Sequence, residues 1–122
     1  MNKIFRTNGF VMDNLGMIPV QVTIELDVDA ETLEYRSTGY TITANLDKVK
    51  DLLSKVNVIG GTYLEEDKDN QVLIRYTKGF HGVTDKGVTM SLSHIDEKGN
   101  DKYMITADAC ELDRYLRKMW ND

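Results

Sequence analysis

An unbroken alternation of apolar and polar residues covers positions 18–28. The apolar members are Ile18, Val20, Val22, Ile24, Leu26 and Val28. Because successive side chains of a strand point to opposite faces, this period of two predicts a long strand with one buried face and one wet face. Such a strand is typical of an antiparallel sheet that is covered on one side, so the chain must supply partner strands and a covering layer.

Similar patterns predict the remaining elements. Residues 33–44 predict a second strand, in which Gly39 is interpreted as a bulge. Asn45 is a favourable N-cap for a helix that ends at Gly60, and Asp108 opens a second helix with a capping box. Further strands are predicted at residues 62–65, 71–77, 88–92 and 102–107.

Three short segments recur in the same order along the chain. Residues 40–45 (YTITAN) match 103–108 (YMITAD), and each copy directly precedes a predicted helix. Upstream, residues 22–26 match 88–92, and residues 7–10 match 77–80. We therefore predict an α+β fold in a single domain, residues 1–122, with pseudo-repeats 1–60 and 62–122. Its internally duplicated order is βββα-ββββα, with two helices packed on antiparallel sheets.

This element order resembles the duplicated ββββα plan of the PUR-repeat and whirly-type single-strand nucleic-acid binders. The resemblance covers nearly the whole chain and rests on the order of elements. Two departures accompany it: the first copy is one strand short, and those families usually present basic sheets. The resemblance implies a sheet surface that binds single-stranded nucleic acid.

Composition limits the classes of protein that this chain can represent. The 15 Lys and Arg residues against 20 Asp and Glu residues give a net charge of −5, which disfavours a general polyanion binder. The only cysteine, Cys110, excludes an internal disulfide and suits a reducing compartment. The longest uncharged stretch, residues 14–24, is too short to span a bilayer, and the first residues do not resemble a signal peptide. We expect a cytoplasmic protein that does not enter membranes.

No pattern of catalytic or metal-binding residues emerges. Cys110 lies near the start of the last helix, where a thiolate activated by His81 or His94 is one interpretation and a small packing residue is the preferred one. Two histidines and one cysteine without regular spacing predict no metal site. Phosphate-binding glycine motifs are absent from the sequence. We expect no enzyme activity and no cofactor.

Two segments nevertheless combine positive charge with aromatic rings. Residues 1–12 and 71–84 each carry two Lys or Arg residues and no acidic residue until Asp13 and Asp85. A basic groove with stacking rings is typical of proteins that bind single-stranded nucleic acid. The candidate binding residues are Arg6, Phe10, Arg75, Lys78 and Phe80. A second candidate anion surface comprises Arg114, Arg117 and Lys118, which the dipole of the last helix also explains.

Two functions therefore remain open. The first is a small non-enzymatic binding module for single-stranded nucleic acid. The alternative is a protein-interaction or inhibitor module of the kind encoded by phages and mobile elements, which suits the acidic charge and the absence of motifs. A homodimer is compatible with either function, and a small ligand bound between the repeats is a further possibility.

Overall fold

Eight strands and two helices form the part of the chain that the computed structural model describes, residues 2–57, 60–79 and 87–121. The first half contains β1 (Asn2–Asp13), β2 (Gly16–Asp27), β3 (Thr32–Ser37), β4 (Tyr40–Asn45) and α1 (Leu46–Lys55). The second half contains β5 (Thr62–Asp67), β6 (Val72–Lys78), β7 (Val88–Ile95), β8 (Asp101–Asp108) and α2 (Cys110–Asn121). The predicted α+β class with antiparallel pairing is confirmed.

All these strands belong to one antiparallel sheet, in the order β4-β3-β2-β1-β8-β7-β6-β5. The pairing of β1 with β8 joins the two halves. The sheet curves into a half-barrel, so that β4 contacts β6 and β7 across the interior although these strands are far apart in the sheet. The concave face holds the core and the convex face, which we call the outer face, is turned towards solvent.

The first half contains one strand more than predicted, because residues 33–44 form a hairpin and not a single strand. Ser37 pairs with Tyr40, which leaves Thr38 and Gly39 as a two-residue turn. Their φ angles are +43° and +85°, and two positive φ angles are typical of the tight turns that match the twist of a hairpin. Gly39 is therefore part of the hairpin turn, and its interpretation as a bulge is wrong.

Both predicted helix starts are supported by side-chain hydrogen bonds. The Asn45 side chain accepts the N–H of Asp47 at 2.9 Å, and Asp108 accepts the N–H of Cys110 at 3.0 Å. The first helix ends at Lys55, earlier than the predicted end at Gly60, because Val56 already has an extended backbone. α1 therefore begins directly after β4, and a single residue, Ala109, separates α2 from β8.

The core lies between the concave face and the helices. Val22, Ile24 and Leu26 of β2 are fully buried, as their alternation predicts. From the helices, Leu52 and Leu116 complete the core. Two tyrosines, Tyr35 and Tyr76, are also fully buried, and their hydroxyl groups hydrogen-bond to the Met90 carbonyl and the Asp113 carboxylate.

The three repeated segments do not all occupy equivalent strands. Residues 40–45 and 103–108 correspond to β4 and β8, each the last strand of its half. Residues 22–26 lie in β2, however, whereas 88–92 lie in β7, the third strand of the second half. Residues 7–10 lie in β1, and their match begins in β6 and ends at Phe80, outside the described residues. Only the match between residues 40–45 and 103–108 relates strands at the same position in the two halves, because each is the fourth strand of its half.

Candidate protein-interaction surface

Three of the predicted binding residues lie on the outer face. Phe5 and Val11 of β1 are buried in the core, so Arg6 and Phe10, which have the opposite parity, point outward. Arg75 of β6 lies between two buried residues and also points outward. The strand register connects Phe10 and Arg75 in one row across the sheet, which runs Phe10, Thr106, Ser91, Arg75. Arg6 lies outside this row, four residues before Phe10 on β1.

The other two predicted residues do not join this row. Lys78 has the parity of the buried Ile74 and Tyr76, so its side chain belongs to the concave side at the end of β6. Phe80 lies outside the described residues. Lys78 and Arg75 therefore do not share one face of the sheet, because residues three apart in a strand point to opposite faces.

Arg75 is engaged in contacts within the protein. Its guanidinium donates to the Ser93 hydroxyl at 2.5 Å and to the Asp101 carboxylate at 3.2 Å, and it lies 3.5 Å from the Met104 sulfur. These contacts join β6 to β7 and β8. Because Asp101 neutralises Arg75, this side chain adds little positive potential to the outer face.

A second arginine of the outer face, Arg36, is also neutralised. It forms ion pairs with Glu25 at 3.0 Å and with Glu34. Arg6 differs, since no carboxylate in the described part of the chain lies within ion-pair distance of it. Among the described residues, the outer face therefore presents one arginine without an ion pair, four residues from Phe10 along β1, and it does not form a broad basic groove.

The three residues of the predicted second anion surface differ in their exposure. Arg117 is half-buried and donates to the Asp113 carboxylate at 2.9 Å and to the Tyr76 hydroxyl oxygen at 3.2 Å. Tyr76 in turn donates to Asp113 at 2.7 Å, and burial raises the pKa of Tyr76 to about 12. Arg117 thus helps to fix α2 to β6, whereas Arg114 and Lys118 are exposed.

The cysteine has no features of an activated nucleophile. Burial raises the pKa of the Cys110 thiol, and the nearby Asp108 carboxylate raises it further. Of the two candidate bases, His94 stacks against Tyr103 with ring centroids 5.5 Å apart, and His81 lies outside the described residues. Within the described ranges, no three His, Cys, Asp or Glu side chains are close enough together to hold a metal ion.

The surface that the sequence did not predict is the closed end of the β1–β2 hairpin, residues 12–20, which we call the hairpin arm. β1 and β2 pair along their full length, but β3 pairs with β2 only from Thr23 to Asp27. The segment from Gly16 to Val22 therefore extends past the pairing with β3.

Large apolar side chains of the hairpin arm are exposed on both faces of the ribbon. Leu15 at the turn is 91% exposed, Met17 on the outer face 60% and Ile18 on the opposite face 62%. Met12 pairs with Met17 across the ribbon and is 38% exposed. No charged residue lies between Asp13 and Glu25. Asp13 is the only charged residue of the arm, so the rest of the arm forms an apolar patch on an acidic protein.

The arm is held in place by hydrogen bonds at Asp13, the last residue of β1, which lies next to the turn. Asp13 accepts the N–H of Leu15 at 2.8 Å and the hydroxyl of Tyr40 at 2.6 Å. The hydrogen bond from Tyr40 lowers the pKa of the Asp13 carboxyl, so this anchor stays ionised at neutral pH. The Tyr40 ring packs against Tyr103 with centroids 4.8 Å apart. A partner would therefore meet an apolar surface whose turn is already ordered.

The backbone edge of the arm is protected against the addition of a further strand. Ser37 donates to the Gln21 carbonyl at 2.8 Å, which shows that the backbone groups of Gln21 point to this edge. Residues two apart in a strand present their backbone groups in the same direction, so Pro19 also faces the edge. Proline offers no N–H there, a common device against edge pairing. Contacts at the arm are thus made by side chains.

No family model, curated protein or solved structure matches this chain. In the described residues, neither helix has the length and apolar character needed to cross a bilayer.

Proposed function

We propose that the protein is a non-enzymatic protein-binding module that presents the hairpin arm to a partner protein. The observation that carries this proposal is the joint exposure of Leu15, Met17 and Ile18 on an anchored ribbon whose only charged residue is Asp13. Contiguous exposed apolar surface of this kind usually marks an interaction site.

The energetics of the arm favour this function. Complete burial of one large aliphatic side chain contributes about 1.5–3 kcal/mol, so three such residues supply several kcal/mol to a complex. The hydrogen bonds of Asp13 order the arm before binding, which reduces the entropy lost on association. The one ion of the arm, Asp13, already accepts hydrogen bonds from Leu15 and Tyr40, which limits the cost of burying it against a partner.

Site-specific photo-crosslinking in a cell lysate tests the proposal. A photoreactive residue at position 15 is expected to capture a protein, and the same residue at exposed Thr41 of β4 is not. The product should persist after nuclease digestion and at high salt, because apolar contacts are not screened. The double substitution Met17→Lys and Ile18→Lys should abolish capture while stability changes by about 0.5 kcal/mol or less, since both side chains are exposed. Equal capture from positions 15 and 41 would contradict the proposal.

A second candidate, binding of single-stranded nucleic acid, is favoured by one observation. Arg6 has no carboxylate partner in the described part of the chain, and Phe10 is half-exposed on the same face. A cation and an accessible ring on the same face of a strand, here four residues or about 13 Å apart, can hold a phosphate and stack a base of one extended strand. The element order supports this candidate as well, since four strands and a helix in each half match the plan of the PUR-repeat and whirly-type proteins.

Fluorescence anisotropy with labelled single-stranded DNA and RNA tests the second candidate. Binding should be modest at low salt and should weaken steeply as salt increases, because phosphate contacts release counterions. Arg6→Glu should abolish it, whereas Lys68→Glu, in the exposed turn between β5 and β6, should reduce it far less. Indifference of the unmodified protein to both oligonucleotides at low salt would eliminate this function.

We also propose that the two halves derive from a duplicated ββββα unit in a cytoplasmic protein. The strand order within each half is the same, and each half ends in a helix. The matched tyrosines Tyr40 and Tyr103 occupy the first and third positions of β4 and β8 and contact one another. The single cysteine supports a reducing, cytoplasmic location.

A further inference from the structure

A cavity of about 210 Å³ lies between the two helices, away from the hairpin arm. Leu53 and Trp120 form its apolar wall, and the other lining residues are polar or positively charged. The complete lining consists of Lys50, Leu53 and Ser54 from α1 and Arg117, Trp120 and Asn121 from α2. The cavity thus combines an aromatic ring with two cations in a protein whose net charge is −5.

Both cations of the cavity keep N–H donors for which the described residues show no acceptor. The Lys50 ammonium lies 5.8 Å from the centre of the Trp120 ring, and no carboxylate in residues 2–57, 60–79 and 87–121 lies within ion-pair distance of it. Arg117 donates through Nε to Asp113 and through Nη2 to Tyr76. A guanidinium has five N–H donors, so several remain for a ligand.

Asp113 offsets part of the charge of Arg117, whereas Lys50 has no carboxylate partner in the described residues, so an anion in the cavity gains from the Lys50 charge and from the remaining donors of Arg117. The apolar wall adds a second requirement, because Leu53 is buried and Trp120 is half-buried. A ligand that satisfies both walls carries a negative group at one end and a flat apolar part at the other. A guanidinium is well suited to the negative group, since its N–H donors match the oxygens of a carboxylate or phosphate.

We propose that this cavity binds a small organic anion, with its carboxylate or phosphate between Lys50 and Arg117 and its planar part against Trp120. The volume suits a compound with a single ring, since an engineered cavity of about 150 Å³ holds benzene. This site is independent of the hairpin arm, so neither proposal depends on the other.

The fluorescence of Trp120 tests this site directly, because it is the only tryptophan of the chain. Benzoate serves as the probe that combines both features, inorganic phosphate as the probe with charge alone, and benzylamine as the ring with the opposite charge. Benzoate is expected to change the Trp120 emission saturably, phosphate to bind more weakly, and benzylamine to produce no saturable change. No saturable response to benzoate at low ionic strength would overturn the proposal.

Substitution of Lys50 separates a specific site from a general effect of salt. Lys50→Met should weaken benzoate binding by about tenfold or more, because it removes one charged hydrogen-bond donor. The matched control is Lys118→Met, which removes the same charge from an exposed position of α2 outside the cavity, and it should alter the affinity by about twofold at most. Both lysines are exposed, so both variants should fold, and unfolding curves check this. Equal binding by the Lys50→Met variant and the unmodified protein would also overturn the proposal.

Discussion

Replacement of Gly9 by alanine is expected to destabilise the protein by about 3 kcal/mol or more, because the added methyl group has no room. A Cβ atom at this position would lie 1.9 Å from the carbonyl oxygen of Thr106 and 2.9 Å from a methyl group of Val22. The first contact is with backbone, which cannot rotate away as a side chain can. The substitution must therefore push β1 away from β8, where the two halves of the sheet join.

Chemical denaturation of the two proteins measures this effect. Asn8→Ala is the matched control, since it alters the neighbouring exposed residue of β1 and should change the free energy of unfolding by about 0.5 kcal/mol or less. If Gly9→Ala cost no more than this control, the close approach of β1 to β8 would be wrong. A loss of cooperativity in the unfolding curve would indicate that the two halves had become separable.

The period-two pattern of residues 18–28 predicted which side chains share a face of the sheet. It failed to predict burial only at positions that neighbouring elements do not cover. Val22, Ile24 and Leu26 are buried because β3, β1 and the helices surround them. Ile18 has the same parity and the same apolar side chain, yet it lies beyond the part of β2 that β3 covers. Alternation assigns a residue to a face, but the lengths of the neighbouring strands decide whether that face is covered.

For the same reason, the hairpin arm was not identified from sequence. The sequence shows that residues 14–24 are uncharged and that residues 18–28 alternate, but neither pattern indicates which part of this strand lacks a covering neighbour. Its meaning depends on β3 pairing with β2 only from Thr23 onwards, and this offset follows from the register of strands. Pro19 is the one local signal that an edge is present, because proline in a sheet is confined to edges and bulges.

For the candidate binding residues, too, features set by spacing within one strand could be predicted from sequence, whereas contacts between distant residues could not. The opposite directions of Arg75 and Lys78 follow from their spacing within one strand and could have been predicted. The ion pair of Arg75 with Asp101 could not, because the two residues are 26 positions apart and meet only through the alignment of β6, β7 and β8. Likewise, Lys50 and Arg117 are brought to one cavity only by the packing of the two helices.

High pH is expected to unfold the protein through its two buried tyrosines. Burial raises the pKa of Tyr76 to about 12, and it raises the pKa of Tyr35 further, whereas a tyrosine in the unfolded chain ionises near pH 10. Their stabilising contribution is complete below about pH 10 and is lost as the pH rises towards the folded pKa, since only the unfolded state then releases the proton. Tyr76 alone should cost about 2–3 kcal/mol by pH 12, and Tyr35 should add to this loss.

Tyrosinate absorbance after a jump to high pH measures this coupling. Two of the six tyrosines should ionise only at the rate of unfolding, while the remainder ionise at once. Tyr35→Phe should reduce the slow group to one and make stability less dependent on pH, because it removes an ionisable hydroxyl that makes only a 3.3 Å hydrogen bond to the Met90 carbonyl. Tyr115→Phe, at a partly exposed position of α2, is the control and should leave the slow group at two. Ionisation of all six tyrosines in a single fast phase would show that Tyr35 and Tyr76 are accessible to solvent in the folded state, contrary to their burial.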